Sequence, residues 1–489
     1  MLKVASCDSQ GSVYIGESAV YRPVVPAHAS NVLEVLKAVD GIDGLIQTEV
    51  CHGASLPEEL KASGTALTLK HRKVAYVSYP HEWCATMLQD AAVFHLTLSE
   101  KLLQKGLTLK DAHPWNILFD RGRPVFVDFT SIVTNDGLFV EDYLEANRQF
   151  SVAPPATRMA KLVDEIYMRM YRPYFINPLL FYAFGERDAV RRRIEDTTLN
   201  ASSSTIAQRE CLPKRHIGRS FVRKLLGLIK IRSVEKRIVA GLRETTDIKR
   251  FYSDMRNYVQ SIPAAIGESA YSAYYSQKGE DQSWTYSDDW NAKQKSVHNA
   301  LNAPDIGSVL DVACNTGWFT LMAEKLGKSV VAFDIDEGCI ETLYKQVRES
   351  GVNVLPLVMS FTQLTQDKYS IYDGNTVLIN ATQRLQSDSV IALGIIHHLV
   401  LGLGLRFAEV LDSLIALCKK QLVIEFVDAD DAMIQGEPSF FPAYFNNREL
   451  LKGYDIQALI ALIEARGFSV TVKASHPETR KILVCTRQA

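Results

Sequence analysis

Residues 308–320 restrict the fold more than any other stretch of this chain. Ser308-Val309-Leu310 reads as a buried strand that ends in an acid, Asp311. The chain then turns through Ala313, Cys314, Asn315, Thr316 and Gly317 and opens a helix. Backbone approaches a ligand closely only where side chains are small. A helix N-terminus adds free amides and the positive end of a dipole. A second apolar strand follows and ends in Asp334, 23 residues after Asp311. A carboxylate at such a strand tip can accept both hydroxyls of a ribose, as its counterpart does in dinucleotide-binding folds. This predicts an α/β architecture with a Rossmann-like parallel sheet and crossover helices. Asp311, Ala313, Cys314, Asn315, Gly317, Asp334 and Ile335 are the expected cofactor contacts.

The rest of the second half fits the same sheet. A strand over 353–359 leads to Ser360, a neutral partner for an adenine ring. A strand over 389–394 runs into His397 and His398, and one over 421–427 carries Glu425. Ligands in open α/β sheets sit outside the carboxyl ends of the strands, so the two histidines should overlook the reacting group. Upstream, Trp290 and Lys293, with Tyr274 and Tyr275, suit either a lid over the cofactor or an ordinary amphipathic helix.

Residues 308–320 and Asp334 resemble motif I and the following acid of class I methyltransferases. The resemblance implies a seven-stranded sheet, closed by an antiparallel pair over 469–472 and 481–484, and S-adenosylmethionine as cofactor. Cys314, Asn315 and Thr316 stand where glycine is frequent in that family, so Gly317 carries the close approach alone. That departure favours S-adenosylmethionine over a dinucleotide. Methyl transfer to oxygen needs a hydroxyl deprotonated in line with the sulfonium. Histidine titrates near neutral pH and suits the task. Either His397 or His398 is the expected base, with the other structural, and Glu425 orients the base or binds substrate.

The front of the chain carries a different signature. Asp111 and Asn116 have the spacing D-x4-N, and a strand then leads to Asp128. Phosphoryl transfer needs a base for the attacking hydroxyl and oxygen ligands for magnesium. Asp111 fits the base; Asn116 and Asp128 fit the metal ligands of a bound Mg-ATP. The segment resembles the catalytic loop of aminoglycoside and choline kinases. The nucleotide half departs from that pattern: Gly11 and Gly16 make no G-x-G-x-x-G loop, Arg22 stands near the place of the usual lysine, and Glu34 is the candidate helix partner. Arginine does not replace lysine freely at a phosphate site.

Three zones are expected: 1–135, kinase-like α+β; 136–266, helical and connecting; 267–489, the methyltransferase-like part. In 214–237 basic residues dominate and Glu235 is the lone acid. This reads as a solvated helix with one face on the core, or as an interfacial helix on anionic lipid. The formal net charge of −2 gives no global pull toward nucleic acid. Neither a leader peptide nor an apolar run long enough to span a bilayer is evident. The eight cysteines form no CxxC pair, as expected of reduced thiols in a cytoplasm, with a post at the inner face of the membrane if the basic helix meets lipid.

Over nearly its whole length the chain resembles bacterial nodulation-protein-like (NoeA-like) methyltransferases. The likeness is carried by residues 78–83, Leu109-Lys110-Asp111, residues 123–128, the motif I segment, the His397-His398 turn and Ile424-Glu425-Phe426-Val427. The paired parts are also similar to those of the bifunctional enzyme that caps bacterial O-antigen chains, in reversed order. These resemblances imply O-methylation of a glycan or small hydroxyl-bearing acceptor. A bifunctional kinase–methyltransferase and a non-catalytic binding or scaffold protein are the alternatives. The sequence fixes neither the acceptor nor the oligomeric state.

Overall fold

The structure is a computed structural model describing residues 1–4, 11–51, 56–61, 67–136, 140, 155–184, 219–264, 284–364, 368–370, 376–435 and 451–488. Tyr274, Tyr275 and the start of the basic stretch, 214–218, lie outside the described residues.

The front half begins with β1 (Leu2–Val4), β2 (Val13–Ile15) and β3 (Ala19–Val24), then α1 (Ala29–Ala38), β4 (Thr48–Cys51) and β5 (Leu67–Arg72). These strands form one antiparallel sheet in the order β1-β2-β3-β5-β4. The long α2 (Ala85–Gln104) follows, its Ala91, Ala92, Leu96 and Leu102 buried as the 3–4 spacing predicts. Next come β6 (Leu107–Leu109), the hairpin β7 (Ile117–Asp120) and β8 (Arg123–Phe126), and β9 (Ile132–Thr134), which pairs back with β6. The hairpin turns through Arg121 and Gly122, both at positive φ (50° and 69°), the geometry that matches strand twist.

Helices fill the middle. α3 (Pro155–Ile166) runs through a wide-turned stretch, Tyr167–Ile176, into α4 (Asn177–Phe184). Pro173 lies inside that stretch, where its missing N–H breaks the regular ladder. α5 (Arg219–Thr245) and α6 (Ile248–Ser261) complete the layer. On α5, Lys230, Lys236 and Arg237 face outward, while Glu235 is buried and accepts from Tyr167 (2.9 Å) and Arg172 (2.7 Å). The lone acid of the basic stretch thus fastens α5 inward. Among the described residues no helix is long and apolar enough to cross a membrane.

The second half comprises α7 (Ala292–Leu301), β10 (Ser308–Val312), α8 (Trp318–Lys325), β11 (Ser329–Asp334), α9 (Glu337–Ser350) and β12 (Val354–Val358). A short ribbon, β13 (Lys368–Ser370) and β14 (Thr376–Leu378), precedes β15 (Ser387–Ala392), α10 (Phe407–Leu417), β16 (Cys418–Val427), α11 (Ile456–Glu464), β17 (Phe468–Ala474) and β18 (Arg480–Arg487). Seven strands make one sheet in the order β12-β11-β10-β15-β16-β18-β17. The first five are parallel, and β18 enters antiparallel between β16 and β17. The chain order reverses beside β10: β11 lies on one side and β15 on the other. That switch point is where open sheets bind ligands.

The two halves share a continuous apolar core that includes Val24, Trp83, Phe119, Tyr344 and Leu483. Polar contacts reinforce it. The buried pair Arg384–Glu82 joins them, with the Arg384 guanidinium 4.6 Å over the Tyr79 ring. The Tyr76 hydroxyl meets Ser387 Oγ at 3.1 Å.

Candidate active site

The residues expected at the cofactor edge gather around the switch point. β10 ends beyond Asp311, whose Oδ2 accepts from Thr320 Oγ1 at 2.6 Å. Burial pushes the Asp311 carboxyl up to about 7, against the pull of Thr320. The turn is tightly wound: Ala313, Asn315 and Gly317 have φ of 57°, 53° and 83°. Gly317 is forced by packing as well, because a Cβ there would meet Leu343 of α9 at 2.5 Å. No side chain caps the N-terminus of α8, which Gly317 opens. Asp334, at the tip of β11, accepts from the amides of Asn315 and Asp336, both at 2.8 Å. Burial raises its carboxyl although these amides pull the other way. The amide of Ile335 adds a further pull; a carboxylate offers about four acceptor positions, so some capacity is left. Cys314 is buried, its thiol pushed up by desolvation. Ile335 is 74% exposed, so its expected contact rests on backbone or on a ligand that covers it. Ser360 sits past β12, its hydroxyl 2.9 Å from that of Thr362.

The edge beyond β15 and β16 holds a second cluster. β15 leads through Gly394, at φ 68°, where a Cβ would stand 3.6 Å from Glu425 Oε2. Glu425 is fully buried; its Oε2 accepts from Lys293 Nζ at 2.7 Å and its Oε1 from Ser475 Oγ at 2.9 Å. Lys293, on the first turn of α7, also lies 5.3 Å over the Phe319 ring. His397 is 3% exposed, and neither ring nitrogen has a hydrogen-bond partner. Burial, with His398, Arg480 and Lys293 adding positive field, drives it down to about 3. His398, its ring 4.2 Å away, falls to about 4 through burial and Arg480. Asp431 accepts from Thr479 (2.6 Å) and from Arg480 (2.9 and 3.2 Å), which hold it at about 2 against burial. Trp290 packs in an aromatic group, 5.2 Å from Trp318.

The front cluster is built differently. Asp111 Oδ2 accepts from Ser131 Oγ at 3.2 Å. Asn116 is buried with its amide nitrogen unpartnered. Asp128 is taken by Arg22 at 2.5 Å and by Thr130, which also bonds Arg22. Burial alone would raise the Asp128 carboxyl, but Arg22 outweighs it and holds the group below the usual range. Among the described residues no cluster of His, Cys, Asp and Glu forms a metal site. Glu34 lies on the exposed face of α1.

Sequence reasoning did not find Ser475 or the Asp431–Arg480 pair, and it left Lys293 without its partner. Lys293 and Glu425 are 132 positions apart, and no local motif links them.

Residues 309–392 match the family model described as a methyltransferase domain. Together with the strand order and the β10–α8 turn, this gives the second half the class I methyltransferase fold. The chain as a whole is NoeA-like: it is 24% identical over 399 residues to nodulation protein NoeA of Rhizobium meliloti, covering 79% of this chain and 77% of that protein. A shorter stretch of 49 residues, 10% of this chain, is 49% identical to a ribosomal protein L11 methyltransferase of Thermotoga petrophila, over 19% of that protein. Among solved structures, magnesium protoporphyrin IX methyltransferase from Synechocystis aligns over 46% of this chain and 87% of its own, at 15% identity and a TM-score of 0.28.

Proposed function

We propose that this chain transfers a methyl group from S-adenosylmethionine to a hydroxyl of a glycan or other small acceptor, which the front half helps to present. When bound, the cofactor supplies an electrophilic methyl group. Asp334 has acceptor positions left for the ribose hydroxyls. The uncapped N-terminus of α8 suits the carboxylate of the methionine moiety. The Gly317 turn lets backbone come close to both.

His397 carries the hydroxyl reading. Buried polar groups are nearly always paired, and both its ring nitrogens are orphaned. An acceptor hydroxyl would complete it. Burial keeps the ring neutral and able to accept, but at about 3 it is a far weaker base than the near-neutral histidine expected from the sequence. Its part is to orient the acceptor hydroxyl and to take the proton only as the attacking oxygen gains positive charge. Glu425 is held on one oxygen by Lys293 and on the other by Ser475, so it fixes the floor of the site and the α7 entrance.

The bifunctional alternative uses Asp111 as base, with Asn116 and Asp128 holding the magnesium of ATP. The Arg22–Asp128 pair weighs against it, because the carboxylate that would hold the metal already has a cation.

The test is incubation of the purified protein with methyl-labelled S-adenosylmethionine and glycan extracts of the producing cells. Label should appear in a base-stable methyl ether, and His397→Ala should lose it while still binding cofactor. Base-labile label, or full transfer by His397→Ala, contradicts the hydroxyl reading.

A further inference from the structure

One helix connects the cofactor edge to the front half. α9 begins three residues after the β11 tip, so its first turn continues the loop that carries Asp334 and Asp336. Asp336 caps it, accepting from Gly338 N at 2.8 Å. On its inner face Leu343 closes on Gly317, the residue that sets the cofactor turn. Its opposite face is spaced 337, 341, 344 and 348, positions that align on a helix, and all four residues grip the front half. Glu337 accepts from the amide of Ala85 at 3.1 Å. Glu341 accepts from the Thr86 hydroxyl and, at 3.3 Å, from its amide. Tyr344 donates to Asp90 at 2.7 Å, and Arg348 donates to the same carboxylate at 3.0 Å. At the far end the Gly122 turn of the β7–β8 hairpin abuts the helix so closely that a Cβ would stand 3.1 Å from Arg348 backbone.

The placement of charge is telling. Glu337 and Glu341 are 7% and 2% exposed, and buried acids are costly unless they are hydrogen-bonded. Glu341 has Lys345 of its own helix at 3.3 Å, and across the junction both acids meet the first amides of α2, where the helix dipole also favours negative charge. The N-terminus of α2 is therefore capped by the other half of the molecule: its own preceding residue, Cys84, makes no side-chain cap.

We propose that the front half is a working part of the cofactor site, with Glu337 and Glu341 as positioning residues that hold the Asp334 loop and the Gly317 turn through α9. This rests on the assignment of Asp334 to the cofactor. Loosening the α2 cap frees the first turn of α9. The amides that orient Asp334 then lose their fixed places, and S-adenosylmethionine binds more weakly although nothing that touches it has changed.

Calorimetric titration of the full chain with S-adenosylmethionine tests this, with hydrogen exchange followed at Asn315 and Asp336. Thr86→Val is isosteric and removes the hydroxyl that donates to Glu341; Glu337→Ala removes the other acceptor; Glu337→Gln restores one. Thr86→Val and Glu337→Ala should each weaken binding about tenfold, within the usual range of coupling between sites. Both should speed exchange at the two amides, and Glu337→Gln should recover most of the affinity. If Glu337→Ala fails to fold, Thr86→Val decides alone. Wild-type affinity and exchange in the folded variants, with only a lower unfolding midpoint, would overturn the proposal. Asp334→Ala is titrated in parallel: normal binding there removes the cofactor-site assignment itself, whatever the α9 variants do.

Discussion

Asp334 and Asp128 look alike in sequence, and the structure separates them. Each follows an apolar strand, each is largely buried, and each was a candidate ligand-binding acid. Asp334 is held by two backbone amides, which orient the carboxylate and leave acceptor positions open. Asp128 is held by a guanidinium and a hydroxyl. Their carboxyls move in opposite directions as a result: burial wins at Asp334, and Arg22 wins at Asp128. On the proposed reading, a strand ending in an acid serves as a site for neutral hydroxyls when backbone holds it. The same acid becomes a lock when a cation does.

Substitutions can sharpen or break that contrast. The largest effect is expected for Asp334→Ala. Removing hydrogen bonds to a charged acceptor costs about 1.5–3 kcal/mol each. Loss of two ribose contacts should therefore weaken S-adenosylmethionine binding more than about a hundredfold, as read by calorimetry. Asp128→Ala should leave that affinity unchanged and instead take from the buried Arg22 the carboxylate it is paired with. Breaking a buried pair in this way costs about 3 kcal/mol or more, visible in denaturant unfolding. Gly122→Ala, at positive φ and against α9, should destabilise the junction by about 1–2 kcal/mol in the same assay. Asp311→Asn should act through pH. Burial pushes the folded Asp311 carboxyl up to about 7, well above the ordinary carboxylate range. Its contribution is fully present below the unfolded value and is lost as pH rises through the folded one. Asp311→Asn should thus stabilise the ligand-free chain at pH 8 and change little at pH 4. Equal effects at both would show that Asp311 titrates normally.

Much of the second half was legible because its information is local. A strand, a small-residue turn and a helix within 308–320 determine the geometry around Gly317, and the later strands of the seven-stranded sheet announce themselves by their apolar residues, whereas the short β13–β14 ribbon did not. Partnerships across long separations were not legible. Nothing near Lys293 points to Glu425, and nothing near Thr86 points to Glu341. The Arg22–Asp128 pair was the intermediate case: both residues stood out, but the sequence assigned one to nucleotide and the other to magnesium. Only their packing shows that they take each other.

The central claim is that one of these two acid clusters binds a cofactor and the other holds the fold. Separate calorimetric titrations of the purified protein with S-adenosylmethionine and with Mg-ATP test it most directly. The account predicts binding of S-adenosylmethionine that Asp334→Ala abolishes, and no heat with Mg-ATP. Saturable Mg-ATP binding that Asp128→Ala removes would contradict it, and would make the front cluster a nucleotide site after all.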